Sequence, residues 1–433
     1  MSELMLPKYI KVFVVSSLFI FCLMVAPTAM PQFVRGADIG WLDQMEKTGY
    51  KFYDSKGMQQ NCLQILKDKG INTVRLRVWV NPSSDKTNGH CSKNEVVAMA
   101  LRAKAMGMRV MIDFHYSDSW ADPGKQTKPA AWAGHSFSQL LDDVYNHTFE
   151  VLDTLKKSGV IPAWAQVGNE ITWGMLWPDG STSNWPQLGQ LLNKGYDAVK
   201  AVDSSIKVVL HLDQGNSNSR FRTFFDNAKN QNVRYDVIGL SYYPYWLGTD
   251  YTVTIDALGN NMNDLAARYG KDVMVVEVGG DYTRVQNTYD MLVAVIEKVK
   301  TYAGIHGLGV IYWEPEGEKS WSGYQLSCWG SDGKPTFALD AFLEHGAGVD
   351  PLENLPGISF YPNPFHDGLL HFAFSIPAAT ATMQIFDIHG KQVAQQEING
   401  SIGNSVRTEL LPGVYMVFVN SGNRSIVKTL VVR

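Results

Sequence analysis

The chain has 433 residues, a net charge of −4 and 45% hydrophobic residues. That length exceeds one average domain and allows a large core, and the near-neutral charge without a basic cluster excludes nucleic acid as an expected partner. The excess is aromatic, with 12 Trp, 19 Tyr and 19 Phe. Every Trp lies between Trp41 and Trp329, many beside Asp, His, Asn or Pro in loop-like sequence. An indole in such a place is suited to cover the apolar C–H face of a sugar ring.

At the N-terminus Lys8 and Lys11 precede an apolar run from Val12 to Val25 and the small-residue stretch Ala26-Pro-Thr-Ala29. This pattern predicts a cleavable secretory signal over residues 1–29, too short for a membrane span, with an uncleaved anchor as the competing reading. Cys22 follows Ile20-Phe21 rather than a small residue, which argues against lipidation. Removal of the signal leaves Cys62, Cys91 and Cys328, an odd number with at least one free thiol unless chains pair. Their spacing suits neither a zinc site nor a disulfide framework.

From Arg35 to about Leu343 strand-like and helix-like segments alternate. The predicted strands are Arg35–Gly40, Ile71–Trp79, Arg109–Tyr116, Pro162–Glu170, Lys207–Asp213, Asp236–Pro244, Asp272–Gly279 and Gly307–Pro315. The predicted helices are Gln59–Lys69, Lys93–Met106, Phe137–Ser158, Trp185–Val202, Asn218–Asn230, Ile255–Tyr269, Arg284–Tyr302 and Phe337–Glu344. Eight strands, each followed by a helix, predict an α/β fold, a (β/α)8 TIM barrel over residues 33–345. From Asp350-Pro351 onward Trp is absent, and short alternating runs are punctuated by turns such as His389-Gly390 and Pro412-Gly413. That predicts a linker over 346–356 and a small all-β sandwich over 357–433.

The chemistry concentrates at the carboxyl ends of the barrel strands, at Asp38, Arg75, His115, Glu170, His211, Tyr243, Glu277 and Trp313. Barrel strands are buried on both faces, so polar residues at one end of all eight mark the end where such barrels hold their sites. Gly168-Asn169-Glu170 closes the fourth strand and Glu277 the seventh. Two such glutamates are the minimum apparatus for cleaving a glycosidic bond. The acid of the pair needs an apolar wall and a nearby negative charge to keep its proton. Its partner must stay ionised, and Arg75 and Tyr243 are placed to support it. Arg77 shares strand parity with Arg75 and is read as its support. His115, Asp118, Trp120 and His211 are read as substrate contacts or their braces, and Trp79, Trp173 and Trp177 as platforms along a groove.

These segments resemble the glycoside hydrolase family 53 endo-β-1,4-galactanases, from Phe33 to about His345. The resemblance rests on Arg35-Gly-Ala-Asp38, Asn72-Thr-Val-Arg-Leu-Arg-Val-Trp-Val-Asn-Pro82, Asp113-Phe-His-Tyr-Ser-Asp-Ser-Trp-Ala-Asp-Pro123 and Gly168-Asn-Glu170 with Leu176-Trp-Pro178. It continues in His211-Leu-Asp213, Ser241-Tyr-Tyr-Pro244 and Tyr312-Trp-Glu-Pro315. It implies a retaining enzyme that cuts internal β-1,4 bonds of pectic galactan and type I arabinogalactan. By the same resemblance Glu170 is the acid/base, Glu277 the nucleophile, Asn169 the ligand of the sugar 2-hydroxyl, and Trp313 the floor of that subsite. Asp38, Arg75, Trp79, His115, Asp118, Trp120, Trp177, His211 and Tyr243 complete the expected substrate-binding set. Val278-Gly279-Gly280 departs from the family's usual sequence after the nucleophile. The short connection Gly279-Gly-Asp-Tyr282 lacks a ligand-rich loop, so no calcium, other metal or cofactor is expected. Two competing readings share these residues: a glycosidase of the same clan acting on another β-1,4 glycan, and a galactan-binding surface protein without turnover.

The tail resembles the C-terminal sorting domain of the type IX secretion system, through Tyr361-Pro-Asn-Pro364, Ile385-Phe-Asp-Ile-His-Gly390, Leu411-Pro-Gly-Val-Tyr415 and Lys428-Thr-Leu-Val-Val-Arg433. That implies a secreted or cell-surface protein whose partners are the export machinery and galactan. A small carbohydrate-binding sandwich is the alternative, and the lack of Trp speaks against it. A monomer is expected.

Overall fold

The computed structural model describes residues 32–84, 90–301, 306–343, 358–361, 365, 369–374, 381–398, 404–421 and 424–432. The expected signal over 1–29 and the linker over 346–356 lie outside the described residues. The chain divides into two units, Met1–Leu343 and Glu344–Arg433.

Eight parallel strands close the first unit into a barrel: β1 (Val34–Asp38), β2 (Thr73–Val78), β3 (Arg109–Phe114), β4 (Trp164–Val167), β5 (Lys207–Leu212), β6 (Val237–Tyr242), β7 (Asp272–Val278) and β8 (Gly307–Tyr312). Each strand pairs with its neighbours in sequence, and β8 closes on β1 with Val34 opposite Gly309. The returns are the helices Cys62–Asp68, Lys93–Ala105, Phe137–Lys157, Trp185–Val202, Asn218–Asn230, Tyr251–Tyr269 and Val285–Thr301, and a final 3-10 turn at Phe337–Phe342. Ser92 and Ser136 open their helices with reciprocal capping boxes to Glu95 and Gln139, which satisfy the first free N–H groups.

Strict alternation sorts the strands into two faces. Val74, Leu76, Ile112, Phe114, Ala165, Val208, Leu210, Ile238 and Leu240 face the helices in the main core. Val34, Met111, Trp164, Val209, Val237, Met274, Val276 and Ile311 fill the barrel interior. Extending the interior parity toward the carboxyl ends brings Asp38, Arg75, Asp113, Gln166, His211 and Ser241 above that plug. Glu277 breaks the rule. Between the register pairs Leu240–Val275 and Ser241–Glu277 the ladder carries a bulge, and the β8 side shifts at the same level. The extra residue turns Glu277 to the same side as Val276.

Several boundaries differ from expectation. The fourth strand stops at Val167, short of the predicted Glu170. Gly168 then takes φ 82°, a left-handed value, and Glu170 takes φ 45°. A Cβ at Gly168 would also strike Ile171, so the position admits only glycine. A short helix at Leu42–Lys47 and a two-residue ladder between Gly174–Met175 and Gly180–Ser181 were not foreseen. Both are too short to carry a periodic signal.

The second unit is all-β. Ile358–Tyr361, Leu369–Phe374 and Asn404–Arg407 form one antiparallel sheet, and Gln392–Ile398, Ala381–Asp387, Gly413–Ser421 and Arg424–Val432 form another. Leu370, Met383, Ile385, Val406, Tyr415, Val417, Val419 and Leu430 share one core. The strand Asn404–Arg407 has a polar sequence that carries little alternation. Cys62, Cys91 and Cys328 are buried, and none of them is in a disulfide among the described residues. Burial pushes the thiols of Cys91 and Cys328 up to about 12, so both stay protonated. No described helix is long and apolar enough to cross a membrane.

Candidate active site

Arg75 is the hub of the barrel mouth. Its side chain is fully buried and its two terminal nitrogens are divided among five acceptors. Nη1 donates to Asp38 Oδ2 at 2.8 Å and to Glu277 Oε1 at 2.9 Å. Nη2 reaches Asp113 Oδ2 at 2.9 Å, Asn169 Oδ1 at 2.9 Å and Gln166 Oε1 at 3.1 Å. The register makes this possible, since Asp38 lies beside Arg75 and Asp113 beside Gln166 across the ladders. Tyr243 donates its hydroxyl to the second oxygen of Glu277 at 3.1 Å. A Cβ at Gly279 would lie 3.0 Å from the Tyr324 hydroxyl and 3.1 Å from the Tyr243 ring. Glycine after β7 thus leaves room for both phenols beside the end of that strand.

The two glutamates have different surroundings. Burial, and then the negative charge of Glu277, hold the Glu170 carboxyl well above the usual carboxylate range, and a 2.6 Å bond from Ser241 works the other way. Burial also raises Glu277, but Arg75 and Tyr243 oppose it. Glu170 therefore has the stronger hold on a proton, and Glu277 is the one favoured as an anion.

Asn169 is fixed from both ends. Its Nδ2 donates to Ala121 O at 2.8 Å, and Gln126 donates to its backbone oxygen at 2.8 Å. His115 accepts the Ala121 N–H at 3.1 Å on Nδ1, so its Nε2–H donates to Asp113 at 3.0 Å. Burial lowers the His115 pKa and keeps the ring neutral. His211 bonds Ser241 through Nε2 at 2.7 Å. Asp38, Arg75 and His211 have no exposed surface, and His115 has 4%, close to the 5% of Asn169 and Glu277.

Two expected substrate contacts are engaged by the protein itself. Trp79 is 0% exposed and packs edge-on against Trp120, 5.1 Å between centroids, so it offers no face to a sugar. Asp118 accepts the Asn81 N–H at 2.9 Å and the Ala130 N–H at 2.8 Å and so ties two loops together. Trp120 and Trp313 are half-buried with rings 5.8 Å apart, and Trp41 and Tyr324 stand edge-on to Trp313. Beneath them the Arg77 guanidinium lies 4.4 Å from the Trp120 ring and pairs with Glu314. Trp177 is half-buried and donates its indole N–H to the Trp173 carbonyl at 3.0 Å, while Trp173 is 52% exposed.

Sequence reasoning assigned no role to Asp113, Gln166, Ser241, Glu314 or Tyr324. The first four were visible as polar residues inside or just beyond apolar strands. Tyr324 lies in a loop and left no such signal. Among the described residues no group of three or more His, Cys, Asp or Glu could hold a metal ion.

Residues 34–342 match the family model described as Glycosyl hydrolase family 53. The chain belongs to that family. Residues 359–433 match the Secretion system C-terminal sorting domain, so this family 53 hydrolase is secreted or held at the cell surface. It is 36% identical over 305 residues to a probable arabinogalactan endo-β-1,4-galactanase A of Neosartorya fischeri, covering 65% of this chain and 83% of that one. It is 36% identical over 309 residues to the endo-β-1,4-galactanase of Bacillus subtilis, covering 65% and 70%. The solved GH53 catalytic domain of Ignisphaera aggregans superposes with a TM-score of 0.67 at 33% identity, covering 72% of this chain and 95% of that one.

The hydrolase carries an excess of buried acids, and this sets a pH dependence of stability. Burial raises Asp38, Glu170, Glu277 and Glu316, with the Glu314 charge adding to the rise of Asp38 and Glu316. The folded state therefore binds protons that the unfolded chain has already released. Stability from these groups is greatest below the unfolded carboxylate pKa and is lost as pH rises toward their folded values. Calorimetry is expected to give a higher Tm at mildly acidic pH than at about pH 9. A Tm that climbs toward alkaline pH would contradict this reading of the buried acids.

Proposed function

We propose that the protein is an exported, retaining endo-β-1,4-galactanase in which Glu277 is the nucleophile and Glu170 the acid/base. The observation that carries this reading is the unequal environment of the two glutamates on one barrel mouth. Arg75 and Tyr243 support the anion of Glu277, while Glu170 is desolvated beside that charge. Membership of family 53 and the galactanase names of its relatives supply the bond and the sugar.

Glu277 attacks the anomeric carbon as Glu170 gives its proton to the departing glycosidic oxygen. Glu170, now ionised, takes a proton from water, and that water displaces Glu277 from the sugar with net retention. Asn169 keeps one amide hydrogen for the 2-hydroxyl, a contact that strengthens as positive charge grows on the ring. Trp313 and Trp120 floor the subsite of the sugar being cleaved, and Trp177 with Trp173 extends the groove beyond Glu170. The hydrolase enters the export route through a cleaved N-terminal signal and acts as a monomer.

A substrate panel tests the reading. Reducing ends are expected from unbranched β-1,4-galactan, with little from β-mannan or carboxymethyl cellulose. Cleavage of mannan or cellulose instead would reassign the glycan. Galactan binding without any reducing ends would identify a capture protein.

A further inference from the structure

Ser241 is buried at the end of β6, with its hydroxyl 2.6 Å from Glu170 Oε1 and 2.7 Å from His211 Nε2. On the other side of the imidazole, Nδ1 faces Gln166 Nε2 at 3.1 Å and the backbone nitrogen of Glu170 at 3.4 Å. A backbone N–H can only donate, so Nδ1 carries the lone pair and Nε2 the hydrogen. Asn169 Oδ1 lies 3.0 Å from Nδ1, but Arg75 already donates to it at 2.9 Å. That oxygen needs no proton from the ring. Burial and the nearby Arg75 charge keep His211 neutral. The direction of the chain follows: His211 Nε2–H donates to Ser241 Oγ, and the Ser241 hydroxyl donates to Glu170 Oε1.

We propose that Ser241, oriented by His211, is a positioning residue that keeps Glu170 Oε1 an acceptor and so places the catalytic proton on Oε2. A proton on Oε1 would set two hydrogens against each other across 2.6 Å. General acid catalysis works only from the oxygen within reach of the leaving group. During bond cleavage the proton passes from Oε2 to the glycosidic oxygen while Glu277 takes up the anomeric carbon. Ser241 and His211 keep their protons throughout. As Glu170 becomes an anion, the Ser241 bond becomes charge-assisted and strengthens, which lowers the barrier to proton release.

The inference rests on Glu170 being the acid/base, and the test separates the two. Ser241→Ala and Glu170→Ala are compared through kcat/KM on galactan and on an aryl β-galactobioside whose nitrophenolate leaves without protonation. Ser241→Ala is expected to lose about ten- to a hundredfold on galactan and far less on the aryl substrate. Its alkaline limb on galactan is expected to move to higher pH, because the bond favouring ionised Glu170 is gone. Equal losses on both substrates, or an unmoved alkaline limb, would reduce Ser241 to a packing residue and overturn the inference. If Glu170→Ala itself shows no dependence on the leaving group, the acid/base assignment fails instead. Should the alanine variant not fold, Ser241→Cys carries the same comparison with a weaker donor in similar volume.

Discussion

Glu277→Gln is expected to abolish turnover of galactan while sparing the fold and the binding of galacto-oligosaccharides. An amide has the shape of the carboxylate but not its nucleophilicity, so no covalent intermediate forms. The fall in kcat should be on the order of 10⁴-fold or more, as for other enzymes that lose their nucleophile. The fold should survive because the amide oxygen still accepts one of the two bonds now made by Arg75 and Tyr243. Removing this anion also takes away one of the charges that hold the proton on Glu170. Reducing-end release gives the rate and titration calorimetry the binding. Undiminished activity would refute the nucleophile assignment.

Arg75→Ala is expected to be the most destabilising single change in the barrel mouth. It would leave Asp38, Asp113 and Glu277 without their shared cation, with both Asp residues fully buried and Glu277 5% exposed. Breaking a buried charge pair from one side costs about 3–5 kcal/mol, and three carboxylates share this one. The acids left behind would take up protons, so the Tm deficit should shrink as pH falls. Activity should fall as well, because Glu277 would lose the charge that opposes the burial-driven rise of its pKa. A variant that melts like the parent would show that the guanidinium is dispensable to the network.

Much of this was legible in the chain because barrel strands obey alternation. Arg75 and Arg77 share a face, as do Asp113 and His115, and that face leads into the mouth. Arg75 was read as the partner of Glu277 and Arg77 only as its support, and the place of Arg77 beneath the aromatic cluster emerges from the fold. The partners of Trp79 and Asp118 were hidden from the sequence for a common reason. A tryptophan beside loop residues looks like a platform until its neighbours are known, and here Trp120 and His115 cover it. A loop aspartate looks like a ligand until the backbone N–H groups of Asn81 and Ala130 are found on it.

The local pattern of residues was enough to establish the eight-fold strand–helix repeat, the boundary with an all-β tail, and the mouth at the carboxyl ends of the strands. Those properties follow from periodicity and composition, which neighbouring residues carry among themselves. The position of Glu277 does not. By alternation from Val273 and Val275 it belongs on the helix-facing side, and only the bulge against β6 and β8 turns it inward to Arg75 and Tyr243. The left-handed turn that lifts Glu170 off the end of β4, and the Ser241 hydroxyl that meets it from β6, are likewise products of the closed barrel. Registers between strands are set by long-range pairing and packing, so residues separated by tens of positions meet only once the sheet has closed on itself.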